Sequence, residues 1–139
     1  MTNARKLGDL QSNNILDIFA AIISQLQAIP SNQINSQQLS NTEEKLQEIL
    51  SQLQFELLNA QEQKNWEQVN KLSLAVDECK NTLNSVRASI FRVNIIGINQ
   101  QNLAELQKIS QDIDNARKTQ LKIDFAIHLL GFLRKLFLK

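Results

Sequence analysis

The residue pair with the most chemical promise is Asp124 and His128, the only histidine in the chain. Four residues apart on a helix, they share a face, so the carboxylate could orient the imidazole. No nucleophile or second ligand accompanies them at a usable spacing, and the pair reads as a partly buried, hydrogen-bonded histidine. The single cysteine, Cys79, excludes an intramolecular disulfide framework. No histidine or basic cluster lies near it in sequence to lower its pKa, so it reads as a small apolar core residue. Asp112 and Asp114 would point in different directions on a helix and make a poor metal pair. Glu43, Glu44 and Glu48 suit a solvated first helical turn, where carboxylates meet the positive end of the helix. Glycine-rich phosphate loops and Cys or His metal spacings are absent from the sequence. These residues predict no catalytic, cofactor or metal site, and a protein that is not an enzyme.

The elements that carry these residues are read from spacing. Val69, Leu72, Val76, Cys79, Leu83, Val86, Ile90 and Val93 follow one another at alternating steps of three and four. This is the heptad seam of helices packed side by side. The arm before it runs Leu46, Leu50, Leu53, Leu57 and Ala60, with Ile49, Phe55 and Leu58 widening the stripe. Together they predict a long antiparallel helical hairpin with a coiled-coil-like seam, turning near Lys64–Asn65–Trp66. A widened stripe implies that the first arm faces more than its hairpin partner. Trp66 is expected to cap the end of the two-helix seam.

An apolar helix over about 12–28 is expected before the hairpin, capped by Ser12 or Asn13 and ended by Pro30, since the residue before proline is pushed out of helical geometry. A polar connector, Pro30 to Ser40, leads to a capping box formed by Ser40 and Glu43. After Val93 the pattern breaks, and Gly97 is a candidate left-handed helix end. A short strand there would have no evident partner. A last helix is expected over about 100–138, with Leu106, Ile109, Ile113, Ala116, Ile123, Ile127 and Leu130 on its seam and Gln120 as one polar intruder. A continuous helix from Gln101 to Lys139 would be about 58 Å long, so its distal part must project, bend near Gly131 or pack elsewhere.

The distal part, Phe125 to Leu138, holds three of the six phenylalanines. Its fourteen residues rise only about 21 Å as a helix, short of a bilayer's hydrocarbon core. Three readings are open: a buried bundle helix, an interface with a partner or second copy, or an amphipathic helix on a membrane surface. The contact residues would be Phe125, Leu129, Phe132, Leu133, Leu136 and Phe137, with Arg134 and Lys135 towards head groups in the membrane case.

Charge is uneven. Residues 41–85 carry four Lys against eight acids, and residues 86–139 carry nine Lys and Arg against four acids, while the whole chain is at +1. An acidic hairpin and a basic last helix would attract one another if packed antiparallel. Nucleic acid is a poor fit, for no aromatic stacking platform or dense arginine cluster accompanies the basic segment. The start, Met1 to Gln11, lacks the apolar centre of a signal peptide, which gives a cytoplasmic setting as the expectation, peripheral at the membrane if the tail binds there. Asn and Gln are abundant, at 15 and 17 residues, and imply an uncharged polar surface.

The run Leu57–Leu58–Asn59–Ala60–Gln61–Glu62–Gln63–Lys64–Asn65–Trp66–Glu67–Gln68–Val69, followed by Leu72 and Leu83, resembles the first hairpin of FliT-like flagellar export chaperones. The resemblance covers roughly residues 46–118. This sequence departs from the pattern in its extra N-terminal helix, its lack of an Arg-rich end to the second arm and its more apolar tail. The resemblance implies binding of a secretion substrate through helical grooves, with the last helix covering or contributing to a groove. It assigns no residue a role.

The reading is a single all-α domain over residues 1–139, a four-helix bundle with helices at about 12–28, 42–62, 65–93 and 100–138 and an apolar C-terminal helix. Its expected function is a chaperone or adaptor that offers an apolar groove to a partner helix or a second copy. The alternative is a membrane-associated bundle that uses Leu121–Lys139.

Overall fold

The structure is a computed structural model that describes residues 14–28, 33–92, 96–118 and 122–137. The caps expected at Ser12 and Asn13, the stop at Pro30 and the helix end at Val93 lie outside these residues, as do Leu121, Leu138 and Lys139. The described chain is all-helical apart from two two-residue strands. Its order is α1 (Asn14–Gln27), β1 (Gln33–Ile34), α2 (Ser36–Glu62), α3 (Trp66–Arg92), β2 (Ile96–Gly97), α4 (Gln100–Lys118) and α5 (Ile123–Phe137).

Asparagine caps set three of the helix starts, which gives the amide-rich composition a structural use. The Asn35 side chain accepts from the Gln38 backbone N–H at 3.0 Å, and the Gln38 side chain accepts from the Asn35 N–H at 2.9 Å. This reciprocal box starts α2 at Ser36, so the box expected at Ser40 and Glu43 does not form and those residues lie inside the helix. Asn99 and Asn102 make the same exchange at the start of α4. Asn65 caps α3 more weakly, accepting from Gln68 N–H at 3.4 Å.

The α2–α3 turn is three residues long. The Asn65 N–H donates to the carbonyl of Ala60 and the Lys64 N–H to that of Gln61, with Lys64 at φ 57°. That pairing is the left-handed helix ending usually given to glycine, carried here by a lysine. Cys79 Sγ reaches the Leu46 carbonyl at 3.5 Å, and Arg87 pairs with Glu43 at 2.7 Å, so α2 and α3 lie antiparallel. Each is 27 residues long, roughly 40 Å.

On its other side α3 meets α5, and these two helices run parallel: Lys71 pairs with Asp124, Thr82 bonds to Leu130, and Ser89 to Phe137. Lys71 with Asp124 and Arg134 with Glu78 are pairs between these helices. The α3 surface beneath α5 is a second seven-residue stripe, Ala75, Thr82 and Ser89, all buried. Small side chains there let α5 approach closely. Helix α4 lies on α1, with Arg117 beside Asp17 fixing the pair as antiparallel, and α1 in turn lies on α2.

Among the described residues five helices stand where the spacing predicts four, because the expected last helix is two. The break falls between Lys118 and Ile123 rather than near Gly131, which sits in the middle of α5. A single rod of that length would outrun its neighbours; two shorter helices bury both halves of the seam, Leu106, Ile109 and Ile113 on α4 and Ile123 and Leu130 on α5. The strand near Gly97 does have a partner. Gln33 and Ile34, from the polar connector, pair antiparallel with Gly97 and Ile96. Gly97 thus pairs in a strand and is not the helix cap that the sequence suggests. Two-residue strands are too short to leave a period-two signal. The ribbon ties the start of α2 to the start of α4.

Candidate functional site

The residues with chemical promise are dispersed. Asp124 turns to Lys71 at 3.6 Å, and His128 is exposed rather than partly buried as expected. Cys79 is fully buried among the α2–α3 seam residues, and burial pushes its thiol up from the ordinary 9.0 to about 12. A thiol so hard to ionise is a poor nucleophile. Glu43, expected in a solvated first turn, lies further into α2 and pairs with Arg87. Among the described residues no group of three or more His, Cys, Asp or Glu could hold a metal ion.

The tail residues are placed inside the fold. Leu129, Leu133, Leu136 and Phe137 are buried, Phe132 is 9% exposed and Phe125 is half-buried. Arg134 donates to Glu78 at 2.7 Å, and of the eight only Lys135 is freely exposed. The Thr82 hydroxyl proton is shared between the carbonyls of Glu78 and Leu130 at 2.8 and 2.9 Å, and Ser89 donates to the Phe137 carbonyl at 2.9 Å. These two hydroxyls lie off the apolar seam, and their seven-residue spacing from Ala75 is the one signal of them in the sequence. Leu129 and Leu133, fully buried, could meet a partner only if α5 left its place in the fold. No described helix is long and apolar enough to cross a membrane.

Two shallow clefts border α5. One, of about 250 Å³, is lined by Gln101, Asn102, Glu105, Phe132, Lys135 and Leu136. The other, of about 210 Å³, is lined by Asn84, Ser85, Ala88, Arg92 and Phe137. Both are smaller than ordinary small-molecule sites, and among the described residues no buried side-chain polar atom lacks a partner.

The unexpected surface is on the α2–α3 pair. Phe55, Leu58, Trp66 and Leu74 are 64%, 58%, 60% and 62% exposed, and they fall in the half of the pair nearest the turn. Phe55 and Leu58 do not widen the buried stripe, as their apolar character suggests. At 100° per residue they stand half a turn and a third of a turn from Leu46, away from the core. Trp66 opens α3 and does not seal the seam. Leu74 lies on the α5 flank, between Lys71 and Glu78, which both bridge to α5. Phe91, more exposed still, is at the opposite end of α3.

The exposed apolar side chains offer a surface on which something could rest. Comparison of the chain with protein-family models, with curated proteins and with solved structures finds no match.

Proposed function

We propose that this chain is a non-enzymatic helical interaction protein, an adaptor or chaperone-like module that docks a partner helix on the exposed side of its α2–α3 pair. The observation that supports the reading is the position of Phe55, Leu58 and Trp66: large apolar side chains held in water by a rigid helical frame. Scattered single exposed apolar residues are ordinary, but three within about four turns of one antiparallel pair mark a surface for recognition. The docking face proposed here is this outward side, in place of the tail, whose apolar residues are occupied within the chain. The likeness of residues 46–118 to FliT-like export chaperones belongs to the same proposal.

Site-specific photocross-linking in cells that make the protein tests it. A photoreactive phenylalanine at position 55 or 58 should give a discrete adduct with a second protein, mapped to one segment of that protein. The same probe at position 128, exposed but on α5, should not. Equal labelling from all three positions, or no adduct from positions 55 and 58, overturns the reading.

A further inference from the structure

We infer that the outward ridge of α2 receives a basic amphipathic helix of a partner protein. Glu44, Glu48, Ser51, Phe55, Leu58 and Glu62 follow one another at steps of four, three, four, three and four, and all six are exposed. Such spacing draws a nearly straight line along one side of a helix. The line spans roughly 27 Å, the length of a helix of about eighteen residues. Its centre is small or apolar and its ends are acidic.

Charge selects the occupant. Helix α2 holds one cation, Lys45, which is off this line by about a quarter turn, against five acids. Of those acids Glu43 is engaged by Arg87 and Glu56 is buried. Of the cations on α3 and α5, Lys71 is engaged by Asp124 and Arg134 by Glu78, while Lys64 is exposed in the turn two residues beyond Glu62. Glu44, Glu48 and Glu62 outnumber Lys45 and Lys64 beside them and leave the ridge net acidic. A second copy docked by the same face would bring an identical acidic ridge, and an anionic membrane or nucleic acid would be repelled in the same way. A helix with apolar residues at its middle and Lys or Arg towards both ends satisfies both features at once.

The inference rests on the reading of this face as a docking surface, and its test is separable from the cross-linking above. Two synthetic helices of about eighteen residues serve as probes, with the same Leu- and Ala-based apolar centre and either Lys or Glu at the flanking positions. Binding to the full chain is read by titration calorimetry and by the emission of Trp66, the only tryptophan. At low salt the Lys-flanked helix should bind saturably, at least about tenfold tighter than the Glu-flanked one, and weaken as salt is raised. The Phe55→Ser/Leu58→Ser variant should lose that binding, and the Glu44→Lys/Glu48→Lys/Glu62→Lys variant should reverse the preference, both with unchanged helix content. All substituted side chains are exposed, so the fold is spared. Failure of the Lys-flanked helix to bind, equal affinity for the two probes, or unreversed preference in the charge variant overturns the inference. So does self-association of the chain that the Phe55→Ser/Leu58→Ser variant abolishes. If adducts at position 55 or 58 persist alongside any of these results, the docking face stands and its charge selectivity alone falls.

Discussion

At the scale of single residues, burial of polar groups makes the sharpest statements. Cys79 is raised to about 12 because the thiolate would lose its solvation inside the α2–α3 seam. A group whose folded pKa lies above its unfolded value contributes stability that is intact below about pH 9. That contribution is lost progressively as the pH climbs towards 12, since the unfolded chain ionises first. Denaturant titrations should show the native chain losing stability more steeply between pH 9 and 10 than Cys79→Ala, and the thiol should stay unreactive to a disulfide reagent at pH 8 until the chain unfolds. Equal pH slopes in the two proteins would remove this account. The hydroxyls under α5 give a graded prediction. Leu130 is inside α5, where its carbonyl also has a helical partner, so Thr82→Val should cost about 1 kcal/mol. Phe137 closes the helix and its carbonyl is one that a helix end leaves over, so Ser89→Ala should cost more, about 1–3 kcal/mol. Equal or inverted costs in urea titrations would contradict the assignment. Little of this was legible in the sequence. Cys79 announced itself by seam position, but Thr82 and Ser89 look like surface residues until the direction of α5 is known.

At the scale of elements, the sequence was most informative where one period runs long. The α3 seam places buried residues correctly from Leu72 to Val86, and the apolar helix expected before the hairpin buries residues from Ile15 to Leu26. Starts were less legible, because Asn35 with Gln38 and Ser40 with Glu43 are both acceptable capping pairs, and it is the earlier that forms. The division of the last helix was hidden for a related reason: seam spacing continues from Ile113 through Ala116 to Ile123 with Gln120 as the one polar intruder, and a single polar residue on a seam does not record that the two halves serve different neighbours. Gly131 illustrates the same limit. It reads as a hinge, yet it is an interior helical residue, and a methyl group added there would meet Glu78 Oε2 at 3.6 Å, an ordinary contact. Alanine restricts the unfolded chain more than glycine and favours the helix, so Gly131→Ala should stabilise the fold by about 0.5–1 kcal/mol. A fall in thermal midpoint would mean that the α3–α5 approach is tighter than this distance allows.

At the scale of the whole molecule, the helices are unequally held. Helix α3 is covered by α2 on one side and α5 on the other and has eight buried residues, whereas α4 has three, Leu106, Ile109 and Ile113, and lies chiefly on α1. Its ion pair to α1, Arg117 with Asp17, joins two well-exposed side chains and adds at most about 1 kcal/mol. Helix propensity does little to redress this, since an isolated nineteen-residue helix is marginal in water without an apolar face to bury. Opening of α4 should therefore need less free energy than global unfolding, and it would uncover the apolar face of α1 while leaving α2, α3 and α5 assembled. Hydrogen exchange followed by mass spectrometry should show the α4 amides exchanging through a local opening, well before those of α3 around Cys79, whose exchange should follow global stability. Substituting Ile109 by Ala should speed exchange in α4 more than in α3. Uniform protection across α3 and α4, or an Ile109→Ala effect shared equally by both, would show instead that the five helices open as a single cooperative unit.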